Sequence, residues 1–216
     1  MQSLRAIGAF CMAEAPQAVV FDIGRVLYAW DLRHLYRKLI ADPAELEWFV
    51  GHVVTPEWHF QSDAGRPVAE MVPELKARFP EQSALIDAYV PRFLETLPYA
   101  VPGTHALVER LAARGVPLFA LTNFGAEFFA RFRPTAPIFG QFRDIVVSGD
   151  EKCVKPEPRI YEIAEARFGY RPEALFFTDD SPANVEGARA RGWQAHLFTD
   201  AADLEAALAE RGLLPA

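Results

Sequence analysis

The sequence predicts an α/β fold built on a mostly parallel sheet, and three observations lead to this prediction. Short apolar runs rich in β-branched and aromatic residues recur along the 216-residue chain. From about residue 101 these runs alternate with segments of helical periodicity. Four of the runs are followed by polar residues. Strands this apolar, separated by helices, indicate a sheet that helices cover on both faces.

The predicted strands and helices alternate in a regular order. The strands cover residues 18–21, 116–121, 145–147, 175–177 and 195–198. Most of the helices between them begin at proline or a capping residue, and Gly115, Gly169 and Gly192 mark the ends of three. Their predicted ranges are 103–114, 126–132, 156–168, 182–191 and 202–209.

Residues 32–98 interrupt this order because their pattern is helical throughout. The predicted helices cover residues 32–40, 43–50, 67–79 and 81–97, and Pro73 and Pro91 are expected to kink or break them. A segment this long is a subdomain rather than a plain connection, and it is expected to lie over the end of the first strand. The predicted organisation is a Rossmann-like α/β parallel-sheet core (residues 17–31 and 99–213), an inserted α-helical cap (residues 32–98) and an N-terminal leader (residues 1–16).

Composition and charge restrict the partners of this protein. The formal net charge is -7 without any dense run of Lys and Arg, which predicts no nucleic-acid partner. No apolar run has the length of a membrane span. Cys11 and Cys153 lack the spacing of a disulfide framework or a metal site and indicate free thiols in a reducing compartment. Residues 5–15 loosely mimic a signal peptide, yet we expect a cytoplasmic protein, either a monomer or a homodimer.

Polar side chains follow the first four strands, at the edge where open α/β sheets bind ligands. Taken singly, each has an ordinary interpretation: an aspartate in a turn, a solvated lysine, or an acidic first turn of a helix. Their occurrence together and in this order favours a functional site. The residues are Asp22, Thr122, Asn123, Lys155, Asp179 and Asp180.

These segments resemble the signature motifs of the haloacid dehalogenase-like hydrolase superfamily. The resemblance covers residues 17–212, and the inserted helices resemble the family's cap of the first (C1) type. The most specific stretches are KPEPRIY at residues 155–161 and FFTDDSPANVEGA at residues 176–188. Among family members, the sequence is most similar to the α-glucose-1-phosphatase-like proteins and the phosphatase domain of soluble epoxide hydrolase.

The resemblance implies a phosphatase acting on a small phosphorylated molecule. Asp22 would be the nucleophile and form an aspartyl-phosphate. The Thr122 hydroxyl and the backbone N–H of Asn123 would bind phosphate oxygens. Lys155 would offset the repulsion between Asp22 and the incoming anion, which matters because phosphoryl transfer depends on electrostatic stabilisation.

The same resemblance implies a Mg²⁺ cofactor. Asp22, Asp180 and the backbone carbonyl of Gly24 would supply oxygen ligands, which suit that ion. Asp179 would assist the metal, through a water molecule. Asn184 would orient the acidic pair.

Gly24 departs from the commonest form of the first motif, which has a second Asp there. That Asp protonates the leaving group and activates water, a role generally worth ~10²–10⁴-fold. Three explanations stay open at this point: a leaving group that needs little protonation, a slow enzyme, or a substitute carboxyl or imidazole. Candidates for the substitute are Asp31, His59 and Asp63, and Asp31 and His59 are also candidate substrate-binding residues.

Two other functions remain as alternatives. The family's 2-haloacid dehalogenases also lack the second Asp and work without metal. Asp179 and Asp180 argue against that chemistry, since adjacent carboxylates beside Asp22 repel one another unless a cation lies between them. A non-catalytic protein that binds a phosphorylated ligand is the second alternative, and the intact Asp22 and Lys155 argue against it.

The inserted helices are expected to select the substrate. Trp30, Trp58, His59, Phe60 and the turn at 62–65 are the candidate contacts. The ordinary alternative for the aromatic residues is packing inside the cap, and we expect that of Trp48 and Phe60.

Overall fold

The computed structural model describes residues 15–215, and its sheet confirms the predicted α/β class. Five parallel strands lie in the order β3-β2-β1-β4-β5, with β1 in the centre. The chain moves from β1 to β2 on one side and later to β4 on the other, so a topological switch point lies beside β1. The strands are Ala18–Phe21 (β1), Leu118–Thr122 (β2), Asp144–Val147 (β3), Leu175–Asp179 (β4) and Gln194–Leu197 (β5).

The strand register brings the polar ends of the strands to one edge of the sheet. Phe21 pairs with Ala120 on one side and with Thr178 on the other. Asp22, one residue beyond Phe21, donates its backbone N–H to the Thr178 carbonyl at 2.9 Å. Side chains at the carboxyl ends of β1, β2 and β4 therefore face the same space.

The helices after residue 100 cover both faces of the sheet, as the alternating pattern predicted. The sequence did not indicate the short helix Ser148–Glu151, because four residues are too few to show a helical period. These helices are Thr104–Ala113, Ala126–Phe132, Ser148–Glu151, Pro158–Phe168, Pro182–Ala190 and Ala201–Glu210, numbered α6 to α11.

Five α-helices, hereafter the inserted helices, lie between β1 and α6. The third, Pro56–Asp63, was not predicted, although Thr55 caps it by accepting from the Trp58 backbone N–H at 3.1 Å. Of the predicted kinks or breaks, no break occurs at Pro73, where the helix continues, and Pro91 lies in the last turn before a 3₁₀ segment at Phe93–Thr96. The helices are Arg33–Tyr36 (α1), Pro43–His52 (α2), Pro56–Asp63 (α3), Val68–Arg78 (α4) and Ser83–Arg92 (α5).

The inserted helices pack directly on the sheet-bearing part of the chain. One hydrophobic cluster contains residues of the inserted helices together with β1, β2 and α7. Phe93 stacks on Phe128 of α7 with ring centroids 3.9 Å apart. The domain boundaries before residue 32 and after residue 98 stay a prediction, and the shared cluster means that the two parts stabilise each other.

Two aromatic residues do not lie where the sequence suggested. Trp48 and Phe60 are 43% and 41% exposed, so their predicted place inside the inserted helices is wrong. Trp48 instead stacks on the His52 ring one turn further along α2. Within residues 15–215, no helix is both long and apolar enough to cross a membrane. Most of the predicted leader, residues 1–14, lies outside the described residues.

Candidate active site

A cleft opens between the carboxyl edge of the sheet and the inserted helices, and we call it the central cleft. Its free volume, including the open mouth, is about 610 Å³, in the range of small-molecule sites. One side is polar and belongs to the strand ends, while the other is largely aromatic. The lining residues are Asp22, Gly24, Arg25, Trp30, His59, Asp63, Phe93, Leu97, Asn123, Phe124, Lys155, Asp180 and Asn184.

Lys155 is the electrostatic centre of the polar side. It is only 2% exposed, and its ammonium group donates to Asp22 Oδ1 at 2.8 Å and to Asp179 Oδ2 at 2.7 Å. A third bond, also 2.8 Å, goes to the Leu121 carbonyl. All three ammonium protons therefore have acceptors, which is what a buried cation requires.

Burial and neighbouring charges set the protonation behaviour here. Burial raises the pKa of Asp22 to about 7, against the opposing pull of Lys155. Burial alone would lower the pKa of Lys155, but the carboxylates of Asp179 and Asp22 raise it above its usual value. Burial and Asp179 also raise the pKa of Asp180. The site therefore carries more negative charge than one lysine relieves, and an added cation would stabilise it.

The three carboxylates form a cluster that fits a hard divalent cation. Oxygen atoms of Asp22, Asp179 and Asp180 lie within 4.8 Å of one another. Asp180 is the most open of them, with its side chain 29% exposed and Arg25 at 3.8 Å as its ionic neighbour. Mg²⁺ prefers carboxylate and carbonyl oxygen ligands. The donor set, together with Gly24 on the cleft wall, suits that ion.

Asn184 is placed to hold one member of this cluster. Its amide donates to both oxygens of Asp179, at 3.0 and 3.1 Å. The Ser181 backbone N–H donates to Asp179 Oδ1 at 2.8 Å, and the Tyr161 hydroxyl donates to the Asn184 carbonyl at 2.8 Å. Asp179 is therefore fixed by several donors in addition to Lys155, while Asp180 is left facing the cleft.

Two side chains at the end of β2, the Thr122 hydroxyl and the Asn123 amide, differ in their hydrogen bonding. Thr122 is buried, and its Oγ1 has no hydrogen-bond partner among residues 15–215. Asn123 pairs with Lys155 in both directions: its side chain accepts from the Lys155 N–H at 2.8 Å and donates to the Lys155 carbonyl at 3.0 Å. An orphaned buried hydroxyl at the carboxyl end of β2 suits an anionic ligand.

Gly149 allows the loop after Asn123 to approach α8 closely. A Cβ added there would lie 2.4 Å from the Ala126 backbone N and 2.8 Å from the Phe124 carbonyl oxygen. Both atoms belong to the backbone and cannot rotate away. We expect Gly149→Ala to lower the free energy of unfolding by about 1–3 kcal/mol in a denaturant titration and to displace the loop that carries Asn123.

Gly140→Ala is the matched control, because nothing lies within 4 Å of a Cβ at Gly140. Equal unfolding midpoints for the two variants would show that the close approach at Gly149 has no energetic consequence.

The inserted helices contribute some of the predicted residues to the cleft and not others. His59 and Asp63 line it, and Trp30 stacks on the His59 ring at 5.0 Å. Asp31 does not line the central cleft; it accepts from Arg33 instead, at 2.8 Å from the backbone N–H. Trp58 packs against Tyr89 beneath the surface of the cleft.

Several lining residues were missed by the sequence analysis. Arg25, Phe93, Leu97 and Phe124 contact the cleft, and nothing in their spacing distinguished them from core or surface residues. Arg25 lies in the turn at residues 25–27, shortly after Asp22. Its backbone adopts a φ of 59°, which is uncommon for a residue other than glycine.

The fold and the site together define an α/β enzyme in which a buried lysine holds a carboxylate at the carboxyl edge of a parallel sheet. Sequence comparison identifies the family, because a model of the haloacid dehalogenase-like hydrolases matches residues 16–192. The chain therefore belongs to the haloacid dehalogenase-like hydrolases.

Relatives within this family have different chemistries. Haloacetate dehalogenase H-2 of Moraxella sp. (strain B) is 24% identical over 164 residues, which cover 76% of this chain and 70% of that protein. Phosphoserine phosphatase of Thermus thermophilus is 30% identical over 95 residues, or 44% of this chain and 38% of that protein. A HAD family enzyme from Bacteroides thetaiotaomicron, solved as a magnesium complex, superposes with a TM-score of 0.68 at 20% identity, covering 87% of this chain and 95% of that one.

Proposed function

We propose that this hydrolase is a Mg²⁺-dependent phosphatase acting on a small phosphorylated metabolite such as a sugar phosphate. The observation that carries the proposal is the cluster of Asp22, Asp179 and Asp180, whose oxygens lie within 4.8 Å of one another and of which only Asp22 and Asp179 pair with Lys155. Such a cluster is strained by repulsion unless a cation joins it. Asp22, Asp180 and the Gly24 carbonyl would hold Mg²⁺, assisted by Asp179. When bound, the ion would neutralise charge on the phosphoryl oxygens.

The side chains and backbone groups of the cleft carry out the two chemical steps. Asp22 forms a bond to phosphorus while the ester P–O bond breaks, giving an aspartyl-phosphate and a departing oxyanion, which takes up one proton to become the alcohol; the water of the second step gives up the balancing proton. Water then attacks phosphorus, releasing inorganic phosphate and restoring the Asp22 carboxylate. The Thr122 hydroxyl and the Asn123 N–H bind phosphoryl oxygens, and Lys155 keeps Asp22 in place against the repulsion of the anion. The aromatic side of the cleft packs on the leaving group.

Dehalogenation of a 2-haloacid is the second candidate. The haloacetate dehalogenase relative matches over 70% of its length and favours this chemistry. The cleft's aromatic wall would also accept a small halogenated acid. Asp180 weighs against it, because a displacement at carbon without metal has no use for a third carboxylate beside Asp22. A cytoplasmic location and a monomeric or homodimeric state stay predictions from the sequence.

Turnover of p-nitrophenyl phosphate, measured with Mg²⁺ and with EDTA, tests the proposal. The phenolate leaving group needs little protonation, so the glycine at position 24 does not hide the activity. We expect turnover with Mg²⁺ and its loss in EDTA. Halide release from 2-chloropropionate, with no phosphatase activity in folded protein, would instead establish the dehalogenase.

Thermal unfolding provides a second readout that is independent of activity. Mg²⁺ is expected to raise the Tm of the wild type, because it relieves repulsion in the folded state; at 100 times the Kd the gain is about 2.7 kcal/mol. Asp180→Asn removes the most exposed carboxylate of the cluster and should largely abolish this shift. Asp87→Asn, an exposed surface position paired with Lys76, should keep it. Equal Mg²⁺ shifts in both variants would contradict the assignment of the site.

A further inference from the structure

Asp63, at the C-terminal end of α3, brings a third carboxyl group to the lining of the central cleft, in addition to Asp22 and Asp180. Its side chain is 7% exposed, and its Oδ1 is buried without a hydrogen-bond partner among residues 15–215. His59 Nε2 lies 3.4 Å from that oxygen. Leaving a buried polar atom unpaired generally costs about 1–3 kcal/mol, so an unpaired oxygen in a cleft points to a role with a ligand.

The backbone of Asp63 is attached to the loop that follows β2. Its carbonyl accepts from the Ser148 hydroxyl at 2.6 Å, and the same hydroxyl accepts from the Phe124 backbone N–H at 3.0 Å. The Gly125 backbone N–H acts on the Asp63 carboxyl group and opposes the rise of its pKa. The two bonds of Ser148 hold the backbone of Asp63 close to Phe124, the neighbour of Asn123, and so close to the end of β2.

Asp63 is better suited to donate a proton than the titratable groups next to it, His59 and Tyr89. Burial raises the pKa of Asp63 to about 8, with Asp22 adding to the rise and Lys155 opposing it. Burial lowers the pKa of His59 to about 3, so the imidazole is neutral. The Tyr89 hydroxyl contacts His59 Nδ1, and burial raises its pKa well above the usual value. Near pH 7 the exchangeable acid proton of this group therefore lies on Asp63.

We infer that Asp63 is the general acid and base of the reaction, replacing the carboxyl group that Gly24 lacks; this inference rests on the phosphatase function proposed above. The leaving group of an in-line displacement departs on the side away from Asp22, toward the inserted helices. Packing does not explain the glycine, because a Cβ at position 24 would meet nothing within 4 Å. In this protein the proton comes from Asp63 on α3 rather than from a residue at position 24.

The proton balance closes over the two steps. In the first, Asp22 bonds to phosphorus, the ester P–O bond breaks, and the departing oxygen takes the Asp63 proton to become an alcohol. In the second, water attacks phosphorus, its proton passes to the Asp63 carboxylate, and the bond between phosphorus and Asp22 breaks. Asp63 is protonated again at the end of the cycle.

Two substrates of similar size separate this role from a structural one. p-Nitrophenyl phosphate releases an acidic phenol, whereas benzyl phosphate releases an alcohol that must be protonated. We expect Asp63→Asn to lower kcat/KM for benzyl phosphate by about 10²–10⁴-fold and that for p-nitrophenyl phosphate by less than tenfold. In the wild type, kcat/KM for benzyl phosphate should fall as the pH rises above about 8, because Asp63 must be protonated to act as the acid. In Asp63→Asn this fall at alkaline pH should disappear. Asp87→Asn is the surface control for both substrates.

Thermal unfolding at pH 9 completes the test. The Asp63 carboxyl has a pKa raised by folding, so its ionisation destabilises the fold as the pH rises, and Asp63→Asn should have a Tm no lower than the wild type. Equal losses for the two substrates, or no loss for either, would overturn the role of Asp63 while leaving the phosphatase intact. Absence of turnover in the wild type with both substrates would instead overturn the phosphatase proposal and this inference with it.

Discussion

Asp22→Asn is expected to lower the turnover of p-nitrophenyl phosphate in the presence of Mg²⁺ by about 10⁴-fold or more, as loss of a covalent nucleophile does in other enzymes. An amide does not form the aspartyl-phosphate, and its weaker ligand atom also reduces the affinity for the metal. Steady-state kinetics at saturating Mg²⁺ measure the effect. The fold should survive, because Lys155 keeps its bonds to Asp179 and to the Leu121 carbonyl.

The control for this variant is Asp87→Asn, which removes a carboxylate from an exposed ion pair with Lys76 on the inserted helices. We expect its kinetic constants to match those of the wild type. Turnover by Asp22→Asn at a rate near that of the wild type would mean that another group attacks phosphorus, and the assignment of Asp22 would be wrong.

Lys155→Met is expected to produce the largest loss of stability. Methionine keeps the volume of the stem but removes the charge, leaving Asp22 and Asp179 buried without their shared cation. Breaking a buried ion pair by removing one partner costs about 3–5 kcal/mol. Chemical denaturation in EDTA at pH 8 measures the loss, and activity should fall with it.

The pH dependence of this loss has a definite sign. Burial raises the pKa of Asp22, and Lys155 opposes this rise. Removal of Lys155 therefore raises the pKa further and makes the ionised form of Asp22 more costly in the folded protein. The deficit should therefore grow as the pH rises and shrink on acidification toward pH 5. Lys76→Met, at an exposed pair with Asp87, should change stability by about 0–1 kcal/mol at either pH. Similar deficits in the two variants would contradict the ion-pair explanation.

Most of the sheet and the polar side of the site could be predicted from the sequence. Strands such as Ala18–Phe21 and helices such as Ala126–Phe132 lie where their patterns indicated, because apolar runs and proline or glycine boundaries are local properties of the chain. Asp22 and Lys155 were found because each follows a buried strand. Parallel strands end at one edge, and strand ends far apart in sequence therefore meet without any knowledge of side-chain packing.

The inserted helices were harder to predict from the sequence. The helix Pro56–Asp63 has no clear apolar stripe, since its faces contact other helices and the cleft rather than one uniform core. For the same reason Trp48 and Phe60 were assigned to the interior although they are exposed, and Asp31 was grouped with His59 although it pairs with Arg33. Neighbours on other elements determine these positions.

The sequence by itself determined the fold class, the order of the strands' polar ends and the residue types available for chemistry. Only the tertiary structure decided which of Asp31, His59 and Asp63 face the cleft, and it selected Asp63 by leaving Oδ1 buried and unpaired. The physical reason is that a pKa and a missing hydrogen bond depend on desolvation and on the atoms of distant segments. For Asp63 those atoms belong to Gly125, Asp22 and Lys155, which local sequence patterns do not connect to it.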